Sequence, residues 1–442
     1  MISRDYFKNK RIAVIGLGHN GEMVEDVKFL IKAGALVGVY DLKSEARLKN
    51  HLVFLRSIGL ANYVCGSIPA DDLLDMDIIV LSHEYSRDAN FLRSVNNSNK
   101  PISIEYPETL FFKQAPPVTV VGVMGEFGKS SLISMLRPLF EIACKDKEGQ
   151  KFFVIDPESN EGILTHLKKI RSGDIVLIRI VSSMMRELYN IRISPHVAVF
   201  ASLPCQSSYD KSVFEILSYQ TYNNFIVASD EIIDMTHSLK AQPKAKMLRT
   251  KISVIPTDWG LGEKFYTHER ENMALAYQTA KLFKVDDDII QDVLMKWNSL
   301  KGRVEFVKKI KNIEFYNDAA SVSPSSTKLA ISILAKNRNI VLIFGGARSV
   351  GIYDSLYEIM PEYIHTLILL PGSGTLSERK SISKIHNINI KSAPSIEEAV
   401  QIAVENANKG DIVLFSPGFD SLGIDGSRKE RGEKFVRVIR GL

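Results

Sequence analysis

The sequence predicts an α/β fold in three successive domains, each a mostly parallel sheet flanked by helices. Apolar runs of strand length recur along the chain, most ending in a glycine or an acidic residue, with stretches of helical periodicity between them. Adjacent prolines at Pro116 and Pro117 and the turn-like Ser299–Arg303 interrupt that alternation. The length of 442 residues, at roughly 150 per domain, agrees with three units. The expected divisions are residues 1–115, 116–300 and 301–442.

In the first division RIAVIGLG (Arg11–Gly18) is a strand closing on glycines, and ALVGVYD (Ala35–Asp41) follows a periodic stretch as a second strand, which makes a βαβ unit. DIIVLSHE (Asp77–Glu84) and PISIE (Pro101–Glu105) extend it to a small Rossmann-like sheet. The central division opens on VTVVGVMGEFGKSSLISML, which reads as strand, glycine loop and helix. It continues through strands at Phe152–Asp156, Asp174–Val181, His196–Ser202 and Asn224–Asp230, the pattern of a larger nucleotide-binding domain. Helices near Glu269–Phe283 and Asp286–Trp297 lead to the second boundary. The third division, again Rossmann-like, has strands at Ile313–Asp318, Asn339–Gly346, His365–Gly372 and Asp411–Gly418. Several of these end in glycine turns, and ligands of open α/β sheets gather at such carboxyl ends.

A hydrophobic content of 45% with 24% charged residues excludes disordered and fibrous classes. The longest apolar runs, such as Ile78–Leu81 and Leu367–Leu370, fall far below the ~18 residues of a membrane span, and MISRDYFKNK lacks an apolar signal core. The expectation is a cytosolic chain without membrane attachment. Cys65, Cys144 and Cys205 are widely spaced and odd in number, so ordinary reduced thiols are expected. The net charge of +5 is mild, and the lysines form no aromatic-interleaved tract, which points to anionic small molecules rather than nucleic acid.

The sharpest motif is Gly122-Val-Met-Gly125-Glu-Phe-Gly128-Lys129-Ser130-Ser131, set between a strand and a helix. Glycines let backbone N–H groups approach phosphate oxygens, the helix N-terminus adds positive dipole, Lys129 neutralises phosphate charge and Ser130 has the hydroxyl that can ligate Mg²⁺. Its glycine spacing departs from the plain G-x-x-x-x-G-K-[ST] pattern. Gly16-Leu17-Gly18-His19-Asn20-Gly21 at the first βα turn, with Asp41 at the next strand end, is a weaker pyrophosphate signal that suits a dinucleotide or a UDP-sugar equally.

These markers are joined by HERENMALA (His268–Ala276), GRVEFV (Gly302–Val307), YND (Tyr316–Asp318), FGGARSVG (Phe344–Gly351), LFSPGFDSL and ERGEKF (Glu430–Phe435). In that order, the chain resembles the Mur ligase family nearly end to end, and most of all the branch that adds D-glutamate to a peptidoglycan precursor. The resemblance implies an ATP- and Mg²⁺-dependent carboxylate–amine ligase working through an acyl phosphate. Its substrates would be a UDP-linked muramoyl compound and an acidic amino acid, and it would be a cytoplasmic monomer. By motif, Gly125, Gly128, Lys129, Ser130 and Ser131 would hold the ATP phosphates, with Ser130 on the metal. Asn272 and Arg303 would contact the adenine and phosphate regions, and Asp318 the ATP ribose. Gly18, His19, Asn20 and Asp41 would lie by the uridine nucleotide, while Arg348 and Ser416 would take the amino acid. Lys129, Arg303 and Arg348 would be catalytic.

Departures from the family pattern cluster at the chemical centre. Where the family places an acidic metal ligand before a Ser-Ser pair, the chain reads Arg179-Ile180-Val181-Ser182-Ser183, with Ile180 at the acidic position. Cys205–Asp210 has no histidine where an Asp-His pair is expected, and Ile216–Tyr222 has no lysine. Ala319 and Ala320 follow Asn317-Asp318 where the family has a lysine, and Arg348 stands in place of another lysine; arginine keeps the charge and adds bidentate carboxylate recognition. Two readings follow: a working ligase with a rebuilt centre, or a weakened paralogue that binds nucleotide or UDP-sugar in a regulatory or scaffold role. A dinucleotide oxidoreductase would explain GLGHNG alone and leave the phosphate loop without a role. His196 and His268 are expected to be structural rather than metal-binding, Trp259 and Trp297 packing residues, and Lys308–Lys311 a solvated loop or strand edge.

Overall fold

The computed structural model describes residues 6–18, 21–145, 149–157, 159, 161–201, 211–237, 243–335, 339–347, 351–421 and 426–442, with backbone alone for 211–213 and 263. It divides into two compact units, Met1–Lys296 and Trp297–Leu442. The first unit carries two parallel sheets. One is built from β1 (Arg11–Ile15), β2 (Leu36–Asp41), β3 (Asn62–Cys65), β4 (Ile78–Leu81) and β5 (Ser103–Glu105) in the order β3-β2-β1-β4-β5. The other comprises β6 (Thr119–Met124), β7 (Phe152–Ile155), β8 (Ile175–Arg179), β9 (Val197–Phe200), β10 (Phe225–Ala228) and β11 (Lys246–Arg249), ordered β11-β10-β9-β6-β8-β7. The second unit has β12 (Glu305–Ile310), β13 (Ile313–Asn317), β14 (Ile340–Phe344), β15 (Ile364–Leu369), β16 (Asn389–Ser392) and β17 (Ile412–Phe415), ordered β12-β13-β17-β14-β15-β16 with only β12 antiparallel.

Strand order fixes where ligands can enter. β1 lies between β2 and β4, β6 between β9 and β8, and β17 between β13 and β14, so the chain reverses its winding beside each of these strands and opens a crevice at their carboxyl ends. The central strands β4, β8, β9, β14 and β17 are buried along their whole length, as expected for sheets covered on both faces. The strands absent from the sequence expectation, β3, β11, β12 and β16, are all edge strands with partly exposed, mixed-polarity faces. Lys308 and Lys309 lie on edge strand β12, where their charges discourage pairing with another chain.

Within the first unit a single apolar cluster joins the two sheets, from Val14 and Leu30 to Leu164 and Met185. Asp26, on the helix Val24–Lys32, is buried and accepts the Leu164 N–H at 2.7 Å across that junction. Gly162 makes the approach possible, since a Cβ there would lie 2.5 Å from Asp26 Oδ1. Burial, helped by the charges of Glu108 and Glu25 and opposed by the Leu164 and Ile163 N–H groups, pushes the Asp26 carboxyl from 3.8 up to about 7. The folded state therefore holds a proton that the unfolded chain releases. Its contribution to stability falls as pH rises between about 4 and about 7 and stays low above that. Asp26→Asn, which keeps an oxygen for Leu164, is expected to shrink the difference in Tm between pH 5 and pH 8; thermal unfolding of both chains at the two pH values checks this, and an unchanged difference would contradict it.

Candidate active site

The turn after β6 carries the phosphate-loop residues. Gly125 and Gly128 have φ of 114° and 80°, values that side-chain-bearing residues adopt only with strain. Gly128 is needed for a second reason, because a Cβ there would meet the Asn272 side-chain amide at 2.8 Å. Asn272 is buried on the helix Thr267–Leu282 and lies beside the loop. Lys129 opens the helix Lys129–Lys145, and its Nζ donates to the carbonyls of Gly125 and Glu126 at 2.6 and 2.9 Å. The ammonium thus lies over the loop at the positive end of a helix dipole, where phosphate oxygens are favoured. Ser131 is in the first turn of the same helix.

Ser130 is engaged differently from the expectation. Its Oγ accepts from Arg179 Nη2 at 2.8 Å, and the same Nη2 reaches Asp156 Oδ2 at 2.9 Å. The Arg179 side chain is 6% exposed. Ile180, at the family's acidic position, is buried, and its Cδ1 lies 2.7 Å from where a Gly122 Cβ would be. Among the described residues no three His, Cys, Asp or Glu side chains cluster as a metal site. A guanidinium already on Ser130 and Asp156 repels a divalent cation, so Mg²⁺ held by Ser130 does not fit this donor set. Cys205–Asp210 lies outside the described residues.

At the first βα turn, Asp41 acts on the backbone. Oδ2 accepts the Leu17 N–H at 2.9 Å and Oδ1 the Lys43 N–H at 2.8 Å, which fixes the turn that includes Gly18. His19 and Asn20 lie outside the described residues. Two charged residues that sequence reasoning missed flank this turn. Lys43 Nζ donates to Gly18 O at 3.0 Å and to Glu84 at 2.9 Å, which leaves a largely buried ion pair at the crevice between β1 and β4. Lys43 stands two positions beyond a strand end and Glu84 within the quoted DIIVLSHE, so their positions were visible and their pairing was not. Nearby, His83 stacks on Tyr106 and meets Glu108 at 3.2 Å. Burial would lower the His83 pKa, but its bond to Glu108 and the surrounding carboxylates raise it overall.

In the second unit, Asp318 and Ser416 meet where β13 and β17 end. Ser416 Oγ donates to Asp318 Oδ2 at 2.7 Å and lies 3.0 Å from Thr327 Oγ1, while Asp318 Oδ1 accepts the Val304 N–H at 3.2 Å. Ser416 is 0% exposed and Asp318 3%. Burial lifts the Asp318 carboxyl to about 6 against the pull of Ser321, Ser416, Val304 and Arg303. In this arrangement the two side chains brace each other and the turn after Arg303. The buried Arg431, within the quoted ERGEKF, was not singled out by the sequence; its Nη2 donates to Phe419 O at 3.1 Å and holds the loop after β17. Arg303 sits in the turn before β12, and Arg348 lies outside the described residues.

Removing a donor from a buried carboxylate costs about 1–3 kcal/mol, and Ser416→Ala is expected to destabilise the second unit by that amount. Urea unfolding followed by a probe in Trp297–Leu442 reads the loss; unchanged stability would place Ser416 outside the packing.

Residues 302–419 match the Mur ligase, glutamate ligase domain. The chain is 30% identical over 466 residues to UDP-N-acetylmuramoylalanine–D-glutamate ligase of Clostridioides difficile, with 98% of this chain and 99% of that protein covered. Its counterpart from Clostridium tetani is 25% identical over 470 residues, covering 99% and 98%. Among solved structures, UDP-N-acetylmuramate–alanine ligase from Thermotoga maritima aligns with a TM-score of 0.54 at 14% identity, over 98% of this chain and 100% of that one. MurF ligase from the same organism, in complex with ADP, aligns with a TM-score of 0.51 at 13% identity, over 100% and 96%. These two share the fold, and the full-length relatives carry the stronger statement: the chain belongs to the Mur ligase family.

Proposed function

We propose that the chain is an ATP-dependent carboxylate–amine ligase that adds D-glutamate to UDP-N-acetylmuramoyl-L-alanine in peptidoglycan precursor synthesis. The observation that carries this is the loop Gly125–Ser131 with Lys129 laid across it, in a chain that aligns end to end with ligases named for that reaction. The substrate carboxylate attacks the γ-phosphorus, ADP leaves, and an acyl phosphate forms. The amine of D-glutamate then adds to the acyl carbon, and inorganic phosphate departs as the amide closes.

The residues divide this work by position. Lys129 and the loop amides hold and neutralise the ATP phosphates, and Asn272, which leaves no room for a side chain at Gly128, contacts the adenine and phosphate regions. Arg303 contacts the adenine and phosphate regions of the nucleotide. The turn braced by Asp41 and Lys43 receives the uridine diphosphate, with His19 and Asn20 beside it, and Arg348 grips the side-chain carboxylate of D-glutamate through its planar fork. Residues 1–115, 116–300 and 301–442 act as the UDP-substrate-binding, central ATP-binding and C-terminal ligase domains of a cytoplasmic monomer.

The test is phosphate release from ATP with UDP-N-acetylmuramoyl-L-alanine, with and without D-glutamate. Release is expected to need both substrates and to fall by about 10²–10³ in Lys129→Ala, the loss typical of one preorganised charge-stabilising group. No release from a chain that still binds ATP would overturn the ligase reading in favour of a nucleotide-binding protein.

A further inference from the structure

We infer that Arg179 takes the place of the divalent cation at the phosphate loop, so that this chain binds ATP without requiring Mg²⁺. The inference rests on the ATP reading above and goes beyond it to how the phosphates are neutralised.

Three features converge on this. β8 lies beside β6, with Arg179 in register with Val123, so the arginine leaves the sheet at the same level as the phosphate loop. β7 is the next strand, and Asp156 directly follows it, so the carboxyl ends of three neighbouring strands bring Asp156, Arg179 and the loop together. The guanidinium is buried and bonded to Ser130 Oγ and Asp156 Oδ2 at 2.8 and 2.9 Å. A hydroxyl next to the loop lysine and a nearby carboxylate are the oxygen ligands a Mg²⁺ would take, and both are occupied by one fixed positive group. At the adjacent position, where a further acidic ligand would be needed, Ile180 is packed into the sheet and has no oxygen to offer.

The exchange is chemically coherent. A guanidinium cannot lose its proton at physiological pH, carries five N–H groups in a plane, and binds phosphate oxygens by charge-assisted hydrogen bonds. Held by Ser130 and Asp156, Arg179 is preorganised, so its charge is in place before the nucleotide arrives. With Lys129 it gives the loop two cationic side chains. The isoleucine at the acidic position is compatible with this: an acid there would add a second negative charge to that of Asp156 and outweigh the single positive charge of Arg179.

Calorimetric titration of the full chain with ATP, in excess Mg²⁺ and in excess EDTA, tests this. The expected result is a Kd that differs by less than about threefold between the two conditions, with Arg179→Gln losing at least tenfold in EDTA and recovering in Mg²⁺. Arg179→Lys, which preserves the charge opposite Asp156, guards against a variant that merely fails to fold and is expected to lie between the two; circular dichroism confirms that each variant is folded. Wild-type binding that weakens tenfold or more in EDTA, or metal-free affinity unchanged in Arg179→Gln, overturns the inference while leaving ATP binding intact. No binding in either condition, with Lys129→Ala indistinguishable from wild type, overturns the ATP reading itself and this inference with it.

Discussion

The phosphate loop is held from three directions, and the chemistry of the chain depends on that confinement. Asn272 lies beside Gly128 on the helix Thr267–Leu282, Lys129 ties back to the carbonyls of Gly125 and Glu126, and Arg179 fixes Ser130 against Asp156. Each contact comes from a different element of the same parallel sheet and its helices. Phosphoryl transfer asks little covalent chemistry of a protein and much positioning of charge. A loop whose lysine and arginine are both anchored has less to reorganise when the nucleotide's negative charge arrives.

The same economy appears at the other crevices. Asp41 and Asp318 each stand at the end of a strand, and each uses its carboxylate on backbone N–H groups of a neighbouring turn rather than presenting it to solvent. Burying such groups is costly unless they are bonded, and the bonds found here meet that condition. What reaches the crevice is then the backbone they shape, together with longer cationic side chains such as Lys43. Both acidic markers thus brace turns beside the crevices.

The sheets were largely legible because their inner strands are unbroken apolar runs that end in glycine or acidic turns. The edge strands β3, β11, β12 and β16 were not, since their half-exposed faces mix Lys, Asn and Ser with apolar residues and show no clear period. The phosphate loop was legible because strand, glycines, lysine and helix are contiguous. The role of Arg179 was hidden: in sequence it is only the residue before Ile180, and nothing local says that it reaches Ser130, 49 positions away. The pairing of Ser416 with Asp318, 98 residues upstream, was equally hidden. A motif names the residues that gather; the donor and acceptor each one meets is decided by strand order.

In the proposed reaction ATP activates a carboxylate as an acyl phosphate, and isotope transfer reads that step. With heavy oxygen in the carboxylate of UDP-N-acetylmuramoyl-L-alanine, turnover in the presence of D-glutamate should deliver one labelled oxygen to inorganic phosphate and retain one in the new amide. Phosphate that carries no label, its added oxygen coming from water, would contradict the account.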